Sequence, residues 1–284
     1  MRACVLLLPL LVPLSLLACG GTVAPEEARS FTPYACDATK PFGAPSPVPG
    51  LPDRFASIGR PSRDELQLFF AMETDDELRL HVATRTDRSL PFGPPKPVLL
   101  AGVDPWPGSL SADGLSLLVH GDGAAGDRDA FVVRRTSFDA PSFSVREPLG
   151  SAVDSPADES GAHLSSDGST LYFARRVGAT RHLFRATGTG FTVVEPLAEL
   201  NGEMGEILPV PSADDRVLYF TRGDRDRAEV WRASRAEAHG PYTTIARVSE
   251  LPSAAASWVS PDDCRIYLSV GYPELRLAIA DRGR

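Results

Sequence analysis

Ser165-Ser166-Asp167-Gly168-Ser169-Thr170-Leu171-Tyr172-Phe173 is the stretch on which the reading of this chain turns. A serine and an aspartate two positions apart, an Asp-Gly turn and then an apolar run describe one strand ending, a tight turn and the next strand beginning. The same Ser-x-Asp recurs at Ser62/Asp64, Ser111/Asp113, Ser212/Asp214 and Ser260/Asp262, each time just ahead of an apolar run. Successive aspartates lie 49, 54, 47 and 48 residues apart. The chain is a repeat protein, and its period fits one four-stranded β unit, being too long for most helical repeats.

A second mark follows each apolar run: an aromatic residue and, six positions later, an aliphatic one. It occurs at Phe92/Val98, Phe143/Leu149, Phe191/Leu197 and Tyr242/Val248, with a fifth copy at Phe42/Val48 ahead of the first Ser-x-Asp. Each unit then reads as four strands, the second of them nearly all apolar, as in Leu68-Phe69-Phe70, Leu117-Leu118-Val119, Leu171-Tyr172-Phe173, Leu218-Tyr219-Phe220 and Ile266-Tyr267-Leu268. Such a run suits a strand covered on both faces. The predicted fold is all-β, a five-bladed propeller of four-stranded antiparallel blades. The last unit stops after three strands, near Ala280, so its edge strand is the extra copy at residues 42–48. N- and C-terminal segments thereby share the closing blade and leave no free sheet edge.

At the N-terminus, Arg2, an apolar stretch of 13 residues at 5–17 and small residues from Ala18 read as a signal peptide. The stretch is too short, and too broken by Pro9 and Pro13, to span a bilayer as a helix of about 20 residues. Leu16-Leu17-Ala18-Cys19 resembles a bacterial lipobox, which implies removal of residues 1–18 and a lipid-bearing Cys19. Ordinary secretion, with cleavage after Ala18 or near Ala24, is the alternative. The domain reading is signal peptide 1–18, flexible tether 19–40 and propeller 41–284. Export leaves Cys36 and Cys264 as an even pair. Aligned on the other units, they fall beside each other in the closing blade, which predicts a disulfide; two separate free thiols are the alternative.

The units resemble WD40-like β-propeller repeats of the TolB type (PD40), with the signature Pro-x-Leu/Trp-Ser-x-Asp-Gly-x-x-Leu-Tyr-Phe. Residues 165–173 carry it best, and Glu65, Asp215 and Asp263 replace its glycine in three units. The resemblance implies a propeller with a protein-interaction or scaffold role. It does not reach the N-terminal domain of TolB, so a translocation role is not implied.

Five equal Ser/Asp pairs around a ring cannot form one site, so function is sought where the units differ. The residues entering the first strands do differ: Arg60, Trp106, Glu159, His163, Glu206 and Trp258. Glu159 and Glu206 occupy equivalent positions in adjacent units, where two carboxylates would serve as acid and base on a glycoside. The alternative is a pair of solvated acids at loop ends. Trp106 and Trp258 offer a stacking platform or, alternatively, packing. Arg175 and Arg222, in charged loops after the second strands, extend the candidate binding face. Gly121-Asp122-Gly123-Ala124-Ala125-Gly126 matches a dinucleotide fingerprint by letters but precedes a strand where a helix is required. No Cys/His cluster points to a metal, and no cofactor is expected. A net charge of -8 argues against nucleic acid. The expected protein is a monomeric, exported scaffold or ligand-binding propeller, lipid-anchored at the outer membrane facing the periplasm, with a protein or cell-wall component as partner. The alternative is a carbohydrate-active hydrolase using Glu159 and Glu206.

Overall fold

The apolar second strands organise the molecule, because each feeds two cores at once. In the computed structural model, which describes residues 29–75, 77–124, 126–140 and 142–283, Leu171 and Phe173 pack into the core between blades two and three, while Tyr172 and Ala174 pack into that between blades three and four. The same alternation places Leu218 and Phe220 on one side of their blade and Tyr219 on the other. Period-two geometry sends successive side chains to opposite faces, so a continuous apolar strand is what a wedge between two neighbours requires. Five core clusters result, one at each seam of the ring.

Blade one comprises Ala56–Pro61, Gln67–Thr74, Glu77–Thr84 and Lys96–Pro97. Blade three comprises Glu159–Leu164, Leu171–Val177, Thr180–Thr187 and Val193–Pro196. Blade four comprises Glu206–Pro211, Val217–Arg222, Glu229–Ser234 and Thr244–Arg247. All pairings are antiparallel. Blade two has three regular strands, Ser116–Asp122, Arg128–Arg134 and Glu147–Pro148. Its innermost segment is held by Gly108 N–H to Leu118 O (2.9 Å) and a bridge between Leu110 and Leu117. Blade five joins Ala254–Val259, Arg265–Val270 and Arg276–Asp281 to the N-terminal Ser46–Pro47, with a further bridge from Phe42 to Arg282. The predicted sharing of the closing blade is observed. Three of the five outer strands are two-residue pieces ending in proline, which blunts the rim against edge-to-edge pairing.

The five Ser-x-Asp copies perform one structural task. In the third, Ser165 Oγ donates to Asp167 Oδ1 (2.6 Å) and accepts from Thr170 N–H (2.9 Å), while Asp167 accepts from Ser169 N–H (3.0 Å). The set repeats around Ser62, Ser111, Ser212 and Ser260. The side chains satisfy turn donors that the ladder leaves free.

The residue after each aspartate has positive φ: 56° at Glu65, 75° at Gly114, 70° at Gly168, 55° at Asp215 and 58° at Asp263. Glycine is the low-cost occupant there. Where an acid replaces it, that acid is used. Tyr172 Oη of blade three donates to Asp215 of blade four (2.7 Å), and Arg235 Nη2 reaches the same carboxylate (2.8 Å). Tyr219 and Arg282 do the same to Asp263 (2.7 and 3.4 Å), and Tyr267 and Arg85 to Glu65 (2.9 and 3.4 Å). These three latches close seams three–four, four–five and five–one. The arginines also lie over the repeated aromatics: Arg85 on Phe92, Arg235 on Tyr242 and Arg282 on Phe42, at 4.2, 4.5 and 3.8 Å.

Cys36 and Cys264 are joined as a disulfide with Cα atoms 5.9 Å apart. Residues 1–18, the proposed signal peptide, and Cys19 lie outside the described residues. Residues 29–40, read from the sequence as part of a flexible tether, lie on the propeller. Arg29 N–H donates to Ala112 O (3.0 Å) and its guanidinium pairs with Asp64. Tyr34 Oη donates to Glu65 (2.6 Å), and Asp37 N–H donates to Gly283 O (2.9 Å). Residues 29–37 thus cross the Ser-x-Asp face from blade two to blade five.

Candidate functional site

The first strands of four blades are interrupted at equivalent points. Register shifts interrupt the ladder at residues 57–60, 160–163, 207–210 and 256–258. Four residues before the motif serine the backbone is left-handed, with φ of 53° at Ile58, 66° at Gly161 and 53° at Leu208. For a β-branched or bulky side chain this conformation is a costly outlier, of the kind retained where a side chain must be aimed. Ile58, Gly161 and Leu208 all line one cavity of about 340 Å³ at the end of the channel where the first strands begin.

Trp106, His120, Arg128 and Arg181 also line that cavity, together with Pro107, Ser160, Ile207 and the acidic Asp104. His120 is buried, which holds its imidazole down to about 4 and therefore neutral. Its Nε2 accepts Ala162 N–H (3.2 Å), leaving Nδ1 as the donor toward Trp106 O (3.4 Å). The imidazole thereby ties the tryptophan's backbone to the channel wall. Arg128 is paired with Asp104 at 2.6 Å. Arg181 has no ion pair among the described residues, and its buried Nε has no hydrogen-bond partner.

Below the mouth, Arg60 and His163, each two places before its motif serine, meet at the waist of the channel. Arg60 is 0% exposed. Its Nη1 lies 2.8 Å from His163 Nδ1 and donates to Ser257 O, so one guanidinium links blades one, three and five. Its Nε and Nη2 have no partner, and no carboxylate pairs with it among the described residues. Burial pulls this guanidinium down to about 9, a measure of how poorly its charge is compensated. Beyond the waist, His163 and Trp258 line a smaller cavity of about 60 Å³ on the Ser-x-Asp side. Trp258 is mostly packing, edge-on to Tyr267 at 5.6 Å.

The structure separates the remaining candidates from the channel. Glu159 and Glu206 are buried, but each is turned to an arginine on its neighbouring strand. Glu159 Oε1 accepts from Arg175 Nε (2.6 Å) and Ser155 Oγ (2.7 Å); Glu206 accepts from Arg222 Nε (2.9 Å) and Gly202 N–H (2.9 Å). Burial pushes the Glu159 carboxyl up to about 7, against the pull of its Ser155 and Arg175 bonds. Arg175 and Arg222 are equally committed, donating also to Val153 O and Leu200 O (2.9 Å each). Both arginines therefore serve their own blades and are not free on a binding rim. Among the described residues no group of three or more His, Cys, Asp or Glu is arranged to hold a metal ion. His120, Ile58 and Leu208 are site residues that the repeat pattern did not single out, whereas Arg181 falls in one of the charged segments after the second strands.

No family model matches the chain, and no curated protein matches it. Solved structures do. A TolB from Agrobacterium tumefaciens matches at 16% identity with a TM-score of 0.53, over 80% of this chain and 77% of that one. A thermostable family-43 glycoside hydrolase matches at 11% and 0.58, over 84% and 91%. The catalytic domain of a Coprinopsis cinerea α-L-arabinofuranosidase of glycoside hydrolase family 62 matches at 9% and 0.55, over 86% and 98%. These likenesses establish the fold. At such identities they assign no activity.

Proposed function

We propose that the protein is an exported, lipid-anchored propeller that binds a ligand or partner at its channel mouth without catalysing a reaction. The observation that carries this reading is the mouth cavity itself: strained backbone at Ile58 and Leu208 is spent on shaping a pocket with Trp106 and Arg181 on its wall. The Cys36–Cys264 bond supports export, since such bonds persist in oxidising compartments. The lipobox at Cys19 supports anchoring to the cell envelope, at the outer membrane facing the periplasm. The partner is a protein or cell-wall component.

The hydrolase alternative has less support. A glycosidase needs its two carboxylates facing one sugar, whereas Glu159 and Glu206 each face an arginine of their own blade.

Anchoring also orients the ring. Arg29 lies ten positions after Cys19, a span of at most about 35 Å. Arg29 lies on the Ser-x-Asp face, so an anchor at Cys19 tethers the ring by the face opposite the mouth. Cys19→Ala is expected to move the protein from the membrane to the soluble fraction. A photo-crosslinker placed at Trp106 is expected to capture a discrete adduct in membranes that one placed at Arg232, on an outer strand, does not. Hydrolysis of a glycoside lost in Glu159→Gln, with no adduct at Trp106, contradicts the reading.

A further inference from the structure

We infer that the channel mouth is a site for an organic anion: a carboxylate carried on an apolar or aromatic body, the body seated against Trp106, Ile207 and Leu208 and the charge directed to Arg181 and Arg60. The inference rests on the mouth being a binding surface and names what it binds.

Two observations converge on it. The first is charge. The chain carries a net -8, and Arg175, Arg222, Arg235 and Arg265 each hold a carboxylate at 2.9 Å or less. Arg60 and Arg181 hold none among the described residues, and between them they present three buried N–H-bearing nitrogens without a partner, Arg60 Nε, Arg60 Nη2 and Arg181 Nε. A buried cation without a counter-charge is costly, and a guanidinium fork is the side chain best matched to a carboxylate. Arg60 lies two residues beyond Ile58, which lines the mouth, and is itself fully buried beneath the cavity wall.

The second observation is shape. The cavity of about 340 Å³ is within the range that holds a small organic molecule, and its wall sets aliphatic side chains and one tryptophan beside polar groups, of which the one carboxylate, Asp104, is already paired with Arg128. A bare inorganic anion would leave that apolar wall unused. A neutral sugar would leave the arginines unpaired. Only a ligand with both parts satisfies both halves of the site. His163 closes the waist beneath Arg60, so the ligand enters and leaves by the mouth.

The competing explanation is that Arg60 is solely a tie between blades, linking Ser257 O and His163. That tie uses only Nη1 and says nothing about Arg181, so the two accounts separate experimentally. Calorimetric titration of the full propeller with phenylacetate, phenylacetamide and inorganic phosphate provides the test. Phenylacetate is expected to bind at least ~10-fold more tightly than its neutral amide, the size of effect a lost charge-assisted hydrogen bond produces. Arg181→Ala, on the partly buried wall of the mouth, is expected to abolish that preference with an unchanged melting temperature. Arg60→Met is expected to abolish it too, and a melt run alongside shows whether that variant is folded. Equal binding of acid and amide, a preference that survives in Arg181→Ala, or binding of phosphate alone overturns the inference. A Trp106 adduct formed in membranes together with failure of phenylacetate would overturn only the ligand class and leave the binding role standing.

Discussion

Seams three–four, four–five and five–one are latched by a buried tyrosine, an acid in a left-handed turn and an arginine; seams one–two and two–three are not. At the unlatched seams the acid position is Gly114 or Gly168, and the tyrosine position is Phe69 or Leu118. Seam one–two keeps only a remnant, Arg135 Nη2 to Gln67 Oε1 (2.8 Å) and to Gly114 O (2.6 Å). Blade three has Gly188 where the arginine would stand. The disulfide and the N-terminal edge strand fall on the latched side as well. Blade two, between the unlatched seams, has the irregular inner segment, and it contributes Trp106, His120 and Arg128 to the mouth. Polar networks fix one arc of the ring, and the candidate binding surface gathers toward the arc that lacks them. Binding surfaces are commonly drawn from the less stable parts of a fold.

The comparison is broken most severely by opening the latched arc at its covalent end. Replacing Cys36 and Cys264 with serine removes a crosslink spanning 228 residues. A loss of about 3–5 kcal/mol in urea unfolding is expected from the loop-entropy account; a loss under about 1 kcal/mol would mean that the N-terminal strand closes the ring unaided.

Next in size is the latch itself. Asp215→Ala leaves Tyr172 and Arg235 buried without their acceptor, at an expected cost of about 3 kcal/mol. Asp215→Gly is expected to cost about 1 kcal/mol less, because glycine relieves the positive φ while losing the same bonds. Equal effects of the two substitutions would show that the turn is unstrained. Gly168→Ala at the unlatched seam has no network to break, and only the backbone cost of about 1 kcal/mol is expected there.

The smallest effect is in pH. The Glu159 carboxyl sits at about 7 in the fold against an ordinary 4.5, so the folded state holds its proton where the unfolded chain releases it. Its contribution is therefore present below about 4.5 and is lost as pH rises toward 7. Glu159→Gln is expected to flatten the fall in stability over that interval. An unchanged slope would assign the effect to other carboxyls of this arc, among them Asp154, which burial raises to about 6.

Repetition explains which features were legible in the sequence. The Ser-x-Asp turns, the five second strands and the missing fifth edge were readable because five copies reveal a pattern that one copy hides. The cysteine pairing followed from the same alignment. Glu159 and Glu206 were seen as equivalent acids, but their partners were not, although each has an arginine 16 positions on, at Arg175 and Arg222. That shared spacing was the available signal, since it spans a hairpin and places each pair in cross-strand register. The latches had a signal too: an acid replaces the turn glycine only where the preceding unit carries tyrosine in its second strand. The strain at Ile58 and Leu208 had none, because ordinary residues occupy those positions. Arg60 was picked out as a channel residue, but its reach across to blades three and five is a tertiary fact.

Hydrogen exchange of the native protein tests the difference between the two arcs most directly. Amides of the second strands flanked by latches, Val217–Arg222 and Arg265–Val270, are expected to exchange only through global opening, while those of Ser116–Asp122, flanked by none, exchange through a cheaper local opening. Equal protection in all three strands, or greater protection at Ser116–Asp122, would contradict the division of the ring into a fixed arc and a binding arc.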